Sequence, residues 1–247
     1  MEKNKNTLIV AGPCAIENKS QFLKTVEKIK NVTDIIRCGV WKARTSANSF
    51  RGVGQRALPW IDFVQKQLSI PCAVEVGTIS HIKQALKYNI KIFWIGARTT
   101  CNPFIIQEMA DFLKNEEVEI WIKNPIIPDV ELWCGAIERF KKNNLNELKI
   151  IHRGFFSTKS REYRNLPRWD ILKKIKSKYP KIPLICDPSH ICGDYNRIEK
   201  FIQRALLEDF HGLMLEVHQN PLEALSDEKQ QLTPKQFSNI LKRLKLK

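Results

Sequence analysis

Short apolar runs recur along the chain roughly every 30 residues, and a segment with helical periodicity follows each run. The runs are rich in Val, Ile and Leu with little polar alternation, which is typical of strands that are covered on both faces. They predict eight strands, at Thr7–Ala11, Asp34–Cys38, Ala73–Val76, Ile92–Ile95, Val118–Ile122, Lys149–His152, Leu184–Asp187 and Leu213–Val217. Because a helical segment separates consecutive runs, we expect a parallel sheet.

The segments between these runs carry apolar residues at the three-to-four spacing of one helix face. The predicted faces are Phe22/Val26/Ile29, Trp60/Val64/Leu68, Ile82/Ala85/Leu86, Ile105/Met109/Phe112, Val130/Trp133/Ile137/Phe140, Trp169/Leu172/Ile175, Ile198/Phe201/Ala205 and Phe237/Ile240/Leu244. Helix-start signals support three of them. Asn102 and Thr233 each precede a proline, and Asp129 precedes the fifth segment, so each of the three can cap the helix that follows.

Eight strands that alternate with eight helices predict the α/β class and a closed (β/α)8 TIM barrel. The chain has 247 residues, of which 43% are hydrophobic, enough for one large core. We therefore expect a single catalytic domain over residues 1–247, with no regulatory domain. An open doubly wound sheet is the alternative, but no Gly-x-Gly-x-x-Gly motif follows the first strand.

We expect a cytoplasmic protein, because no apolar run in this sequence suits a signal peptide or a membrane span and the cysteines show no disulfide pattern. The first apolar run, TLIVAG (7–12), is too short for a signal peptide or a membrane span, and no later stretch approaches about 18 apolar residues. The seven cysteines include no Cys-x-x-Cys pair, which argues against a disulfide framework and against a zinc ribbon.

The formal net charge of +15 is high enough to suit a nucleic-acid-binding protein. However, the lysines are spread over most predicted helices and are not gathered into one run with interleaved aromatic residues. We therefore expect a solvated basic surface that also attracts anionic substrates, and no nucleic acid or membrane partner.

Two groups of polar residues fall at the predicted carboxyl ends of the strands, where such barrels build their active sites. Cations that suit phosphates and carboxylates form the first group: Arg37, Lys42, Arg44, Arg98, Lys123 and Arg153. The second group is Cys14, His190, Glu216 and, in the following loop, Asp227. Thiolate, imidazole and carboxylate together suit a divalent transition metal better than magnesium or calcium.

Each residue of the second group also has a purely structural interpretation. A lone cysteine is usually a small buried hydrophobic residue, and His190 alone could be a hydrogen-bonded loop histidine. Glu216 could pair with an arginine, and Asp227 could cap the turn that follows it. The convergence of all four on one rim favours a metal site over these interpretations.

Eight sequence motifs then identify a resemblance. The chain resembles the phosphoenolpyruvate-dependent 3-deoxy-sugar-phosphate synthases, and most closely the short bacterial 3-deoxy-D-arabino-heptulosonate 7-phosphate (DAHP) synthases. The motifs span nearly the whole chain in the family's order: AGPCAIE (11–17), KARTSANSFRGVG (42–54), IGARTTCNPF (95–104), the lysine of WIKNP (121–125), HRGF (152–155), DPSH (187–190), EVH (216–218) and ALSD (224–227).

The resemblance implies a transferase that joins phosphoenolpyruvate to erythrose 4-phosphate, at the start of the shikimate pathway to chorismate and aromatic amino acids. It implies a manganese, iron, cobalt or zinc ion on Cys14, His190, Glu216 and Asp227. It assigns phosphoenolpyruvate to Lys42, Arg98, Lys123 and Arg153 with Arg37 and Glu75 nearby, and the aldose phosphate to Arg44, Thr45 and Ser46. Lys123, Cys14 and His190 are the expected catalytic residues, and Lys123 is our candidate for proton delivery because neighbouring cations lower a lysine pKa.

Three positions depart from the family pattern. Ala43 stands where the family usually has proline, which predicts a less rigid loop. Asn124-Pro125 replaces a common Arg-Gly, which predicts the loss of one phosphate contact. Cys192 adds a thiol two residues after His190, and we hypothesise that it makes the site sensitive to oxidation; an inert, buried side chain is the alternative.

Other functions remain open at this point. A 3-deoxy-octulosonate 8-phosphate synthase would use arabinose 5-phosphate, and the KARTS stretch (42–46) argues against it. A basic binding module on the same barrel is the non-enzymatic alternative, and the metal quartet argues against that. We expect a homo-oligomer, since oligomers are common in this fold, and regulation by association with a separate chorismate mutase is a hypothesis. Two long loops, residues 37–58 and 153–167, are expected to close over the substrates.

Overall fold

A computed structural model of the protein describes residues 7–145, 147–158, 160 and 162–247. Its eight strands are all parallel, and each pairs with the next until β8 closes on β1. The strands are β1 Leu8–Gly12, β2 Ile35–Cys38, β3 Cys72–Val76, β4 Ile92–Ile95, β5 Glu119–Lys123, β6 Leu148–His152, β7 Leu184–Cys186 and β8 Gly212–Glu216. The predicted closed (β/α)8 barrel is thus confirmed.

Helices surround this barrel. Within the described residues the α-helices are α1 Lys19–Ile29, α2 Leu58–Leu68, α3 Ile79–Leu86, α4 Ala97–Thr100, α5 Pro103–Phe112, α6 Val130–Lys142, α7 Trp169–Lys178, α8 Pro188–Cys192, α9 Tyr195–Ala205 and α10 Pro234–Arg243. Short 3₁₀ helices cover Lys30–Val32, Gly54–Ala57, Leu206–Glu208, Pro221–Glu223 and Glu228–Gln230. No helix in the part of the chain that the structure describes is long and apolar enough to cross a membrane.

The sequence predicts every strand to within one residue at each end, because each is a short, mostly apolar run that is largely buried on both faces. The three predicted caps are also confirmed. Asn102 accepts hydrogen bonds from the amides of α5, Asp129 accepts one from the amide of Leu132, and Thr233 forms a capping box with Gln236.

Two features of the helices differ from the prediction. Helices α4 and α8 were not predicted, because their four and five residues are too few to produce a visible helical period. Two predicted inner faces were rotated. Helix α2 buries Leu58 and Ile61 with Val64 and leaves Trp60 and Leu68 partly buried. Helix α5 buries Ile106 and Ala110 with Met109 and leaves Ile105 and Phe112 partly buried. Packing of α5 against α4 and α6 sets this rotation, and local periodicity does not report it.

The core has two layers. The larger layer fills the space between strands and helices, and the smaller one fills the barrel interior. The interior residues are Val10, Ile35, Ala73, Trp94, Trp121, Ile151, Ile185 and Met214. Trp94 is fully buried, and both Arg37 and Lys123 lie over its ring, 5.3 and 6.0 Å from the centroid. Trp94 therefore forms the floor beneath the carboxyl-terminal mouth of the barrel.

Candidate active site

A polar cavity of about 310 Å³ opens at the carboxyl ends of the strands. Its wall contains the whole predicted substrate-binding set: Arg37, Lys42, Arg44, Thr45, Ser46, Glu75, Arg98, Lys123 and Arg153. His190 and Asp227 also line it, with Ser49 and Arg164, which the sequence analysis did not select. A cavity so rich in cations is suited to a ligand with several negative charges.

Three of the four predicted metal ligands lie together. The ligand atoms of Cys14, Glu216 and Asp227 are all within 4.8 Å of one another, and Cys14 Sγ is 3.2 Å from Asp227 Oδ2. His190 does not join this group of three, although its Nε2 lies 3.7 Å from Glu216 Oε1. These residues come from the loop after β1, from α8, from the end of β8 and from the loop after β8. The structure thus brings three donor groups together and places the His190 imidazole beside them.

Asp187 orients the imidazole and was not among the predicted site residues. It caps α8 by accepting a hydrogen bond from the amide of His190, and its carboxylate lies 2.8 Å from His190 Nδ1. Occupying Nδ1 leaves Nε2 directed at Glu216, the arrangement that second-sphere carboxylates give to metal-binding histidines. The DPSH motif contained Asp187, but sequence alone does not tell a ligand from a residue that orients one.

Asp187 also pairs with the predicted proton-delivery residue. Lys123 Nζ lies 2.8 Å from Asp187 Oδ2, and both side chains are buried. Burial lowers the pKa of Lys123, Asp187 opposes this change, and Arg37 adds to it. The predicted direction is therefore confirmed, but burial is the main cause and neighbouring cations contribute less.

The donor chemistry fits a divalent metal. Burial, followed by the charge of Glu216, raises the pKa of Cys14 to about 12, so the thiol keeps its proton unless a cation replaces it. Among the described residues, Glu216 Oε1 has no hydrogen-bond partner, although buried Arg37 Nη2 lies 2.9 Å away. A buried carboxylate oxygen without a hydrogen bond beside a buried thiol and an imidazole is suited to cation binding.

The β2–α2 loop is tied to the barrel mouth at both ends of its basic motif. Lys42 Nζ donates to the carbonyl of Cys14 at 2.9 Å and lies 3.8 Å from Glu75 Oε2. Further along, Arg98 Nη2 donates to Thr45 Oγ1 at 3.2 Å. Residues 42–46 and Ser49 of this loop line the cavity, and closure of the loop over the substrates stays a prediction. Whether Ala43 makes it less rigid stays a prediction.

Gly96 lets β4 approach the same group of residues. A Cβ atom at this position would lie 2.2 Å from Glu75 Oε1, well inside the limit for real contacts. A side chain at this position would therefore displace the Glu75 carboxylate from the end of β4, two residues before Arg98 on α4.

Asn124 has a structural role that its sequence position did not reveal. It is buried, its Oδ1 accepts from the amide of Arg153 at 2.7 Å, and its Nδ2 donates to the carbonyl of Gly154 at 2.8 Å. Asn165 completes the support, because its Oδ1 accepts from Arg153 Nη1 at 2.8 Å. The residue that replaces the family's arginine therefore positions Arg153.

Cys192 packs away from the ligand group. It is 3% exposed and belongs to the core layer between strands and helices, and burial raises its pKa to about 12. The described donor group contains Cys14 but not Cys192. The geometry favours the inert, buried side chain over the oxidation-sensitive thiol.

The most informative missed residue is Arg164, in the β6–α7 loop. Its Nη1 donates to Asp227 Oδ1 at 2.9 Å and also contacts Gln230 Oε1 at 2.5 Å. Gln230 in turn donates to Glu216 Oε2 at 2.6 Å. Arg164 lies in the middle of a long loop, not at a strand end, so a search of strand ends could not find it.

Comparisons with known proteins identify a family and related sequences. The sequence model described as the DAHP synthetase I family matches residues 2–246. A phospho-2-dehydro-3-deoxyheptonate aldolase of Thermotoga maritima is 24% identical over 240 residues, covering 96% of this chain and 68% of the relative. A 2-dehydro-3-deoxyphosphooctonate aldolase of Geobacter sulfurreducens is also 24% identical, over 261 aligned positions that cover 96% of this chain and 91% of the relative.

Two solved structures share the fold. The crystal structure of the Thermotoga maritima DAHP synthase matches with a TM-score of 0.86 at 23% identity, covering 98% of this chain and 69% of that one. A truncated form of the 3-deoxy-D-arabino-heptulosonate 7-phosphate synthase from the same organism matches with a TM-score of 0.83 at 22% identity, covering 98% and 86%. At these identities the likeness shows the (β/α)8 barrel.

Proposed function

Because the chain belongs to the DAHP synthetase I family, we propose that it condenses phosphoenolpyruvate with erythrose 4-phosphate in a metal-dependent reaction that releases phosphate. One observation supports this most strongly: seven lysine and arginine side chains line one barrel mouth, beside a thiol, an imidazole and two carboxylates. The family makes the protein an enzyme of the aldolase and synthase type, and the substrates and the metal are our proposal.

The reaction forms a bond between the methylene carbon of phosphoenolpyruvate and the aldehyde carbon, adds water at the enol carbon and expels phosphate. The main obstacle for the protein is to hold two polyanions side by side. Arg98, Arg153 and Lys123 would neutralise phosphoenolpyruvate, and Arg44 with Thr45 would receive the aldose phosphate. The hydrogen bond from Arg98 to Thr45 joins these two groups of residues.

The residues Cys14, His190, Glu216 and Asp227 would hold the metal, which when bound supplies Lewis-acid polarisation of an oxygen atom. Lys123, which is buried against Asp187, would deliver a proton from its ammonium. Lys42 Nζ, which donates to the carbonyl of Cys14, lies 3.8 Å from Glu75 Oε2 in the same cavity. A homo-oligomer and a separate chorismate mutase partner stay predictions.

An assay of phosphoenolpyruvate consumption tests this proposal. The purified protein is stripped of metal, reloaded with manganese or cobalt, and given erythrose 4-phosphate or, in parallel, arabinose 5-phosphate. Consumption with erythrose 4-phosphate that disappears on chelation is the expected result. Consumption with arabinose 5-phosphate alone would move the assignment to octulosonate synthesis, the activity in the name of the Geobacter relative. No consumption with either aldose would favour the binding-module alternative.

A matched pair of variants locates the activity in this cavity. Asp227 and Asp209 are both aspartates with a left-handed backbone, at φ 52° and 57°, and asparagine tolerates that conformation. Asp227→Asn removes a predicted ligand, whereas Asp209 pairs with half-buried Lys176 outside the site. We expect Asp227→Asn to lose metal-dependent consumption and Asp209→Asn to keep it.

A further inference from the structure

Arg164 and Asp227 lie together in the wall between two cavities. One is the substrate cavity, and the other is lined by Arg164, Gly193, Asp227, Glu228, Lys229 and Gln230. The Arg164 side chain is 48% exposed, whereas that of Asp227 is 15% exposed. The guanidinium thus covers a mostly buried carboxylate from the solvent side.

The stem of Arg164 is held against the helix that carries His190. Gly193 ends that helix with φ +67°, and a Cβ atom there would lie 2.5 Å from Arg164 Cβ. The next residue, Asn165, donates from Nδ2 to the carbonyl of His190 at 2.7 Å. These contacts tie the loop to the helix that carries His190. They therefore fix the position of the Arg164 stem, unlike that of a free surface side chain.

Both oxygens of Asp227 are engaged. Oδ1 accepts a hydrogen bond from Arg164 at 2.9 Å, and Oδ2 accepts one from the Cys14 thiol at 3.2 Å. Arg44 Nη1 also lies 3.9 Å from Oδ2. A divalent cation bound by Cys14 replaces the thiol proton and needs at least one of these oxygens. A guanidinium hydrogen-bonded to the same carboxylate then faces a second, larger positive charge across a few ångströms.

Arg37 does not meet this conflict in the same way. Its side chain is fully buried beside Glu216 and over the Trp94 ring, so its guanidinium cannot move away when a metal binds. Arg164 is half exposed, and the second cavity beside Gly193 and Glu228 gives its guanidinium room to leave Asp227. Arg164 is therefore the guanidinium that can move away from Asp227 when a metal binds.

We propose that Arg164 is a stand-in counter-ion that pairs with Asp227 when no metal is bound and competes with the metal for that carboxylate, so that it sets the metal affinity. This inference rests on the metal site of the proposed function. It adds a residue that weakens cation binding and neutralises the charge of the mostly buried Asp227 carboxylate in the metal-free protein. The cost of leaving such a charge unpaired explains why the loop supplies a guanidinium here.

The test measures cobalt binding to the metal-free, full-length protein by competition with a chromophoric chelator. The absorption band of cobalt bound to thiolate reports whether Cys14 is a ligand, independently of catalysis. The variant Arg164→Gln keeps much of the side-chain length but removes the charge, and we expect it to bind Co²⁺ about 3- to 10-fold more tightly than the wild type. Arg164→Lys keeps the charge and should stay within about twofold of the wild type.

Arg168→Gln is the matched control. Arg168 lies four residues further along and also pairs with an aspartate, Asp170 at 2.7 Å, but outside both cavities. This variant loses the same charge and should bind Co²⁺ as the wild type does. An equal gain in Arg168→Gln would assign the effect to the overall charge and overturn the proposal.

The remaining outcomes separate the two proposals. If the wild type binds Co²⁺ with the thiolate band but Arg164→Gln binds it no more tightly, the competition is wrong and the metal site stands. A tighter site in Arg164→Lys, equal to that of Arg164→Gln, would point to lost packing on Gly193 and would also overturn it. If neither the wild type nor any variant binds Co²⁺, the metal site itself is wrong, and the competition is wrong with it.

Discussion

At the scale of single residues, Lys123 combines a position that the sequence indicates with an environment that only the structure shows. It is the last residue of β5, its side chain is buried, and its ammonium pairs with Asp187 at 2.8 Å. Burial lowers its pKa, and the ammonium is the form that can deliver a proton. Activity that depends on this proton should therefore be present below the lowered pKa and lost as the pH rises through it.

We predict that Lys123→Met lowers turnover at saturating substrates by about 100-fold or more, in the range of general acid catalysis. In the wild type the basic limb of the turnover profile should fall below pH ~10.4, the ordinary lysine pKa. The control is Lys149→Met, since Lys149 pairs with Glu119 near the amino-terminal end of the barrel. Normal turnover in Lys123→Met would remove the proton role and leave charge pairing alone.

Cys192 allows a second residue-scale test. Since its thiol is 3% exposed and burial raises its pKa to about 12, little thiolate forms near neutral pH. We predict that peroxide treatment removes activity and bound metal equally from the wild type and from Cys192→Ser. Residual activity and metal content after timed exposure are the measurements. Clear protection in Cys192→Ser would restore the hypothesis of an oxidation-sensitive site.

At the scale of elements, the caps show what local sequence can encode. Thr233 Oγ1 accepts from the amide of Gln236 at 3.2 Å, and Gln236 Oε1 accepts from the amide of Thr233 at 2.8 Å. These two bonds satisfy amides at the start of α10 that have no partner within the helix. Both residues lie within four positions of each other, so the sequence predicts the cap without any tertiary information.

We predict that Thr233→Ala lowers the free energy of unfolding by about 1 kcal/mol, the usual value of such a cap. Asn239→Ala, at an exposed position inside α10, serves as the control and should change stability by less than about 0.5 kcal/mol. Urea denaturation of both variants at equal protein concentration measures the difference. Equal stability of the two variants would show that the capping box contributes nothing.

Elements that depend on their neighbours were not predictable in this way. The α8 helix has five residues, yet it carries His190 and is fixed by Asp187 at one end and by Gly193 in a left-handed conformation at the other. Its sequence contains too few positions to show a period of 3.6. The DPSH motif marks this segment as chemically important, but only the fold makes it a helix directed at Glu216.

At the scale of the whole molecule, the net charge of +15 acts together with a cavity lined by cations. We predict that kcat/KM for phosphoenolpyruvate falls by about tenfold between roughly 50 and 500 mM salt, because screening weakens the attraction of a polyanion. Turnover at saturation should change much less. Sucrose at equal osmolality is the control, and a kcat/KM that is independent of salt would contradict electrostatic attraction.

The sequence by itself determined the barrel, the eight strands and the rim on which the candidate site lies. The reason is that parallel strands buried on both faces require continuous apolar runs, and closure brings their carboxyl ends together. Only the tertiary structure decided which groups on that rim touch. Arg164 reaches Asp227 across 63 positions, and Lys123 reaches Asp187 across 64. Such pairings are set by loop paths and by the desolvation of buried charges, and neither leaves a local pattern in the chain.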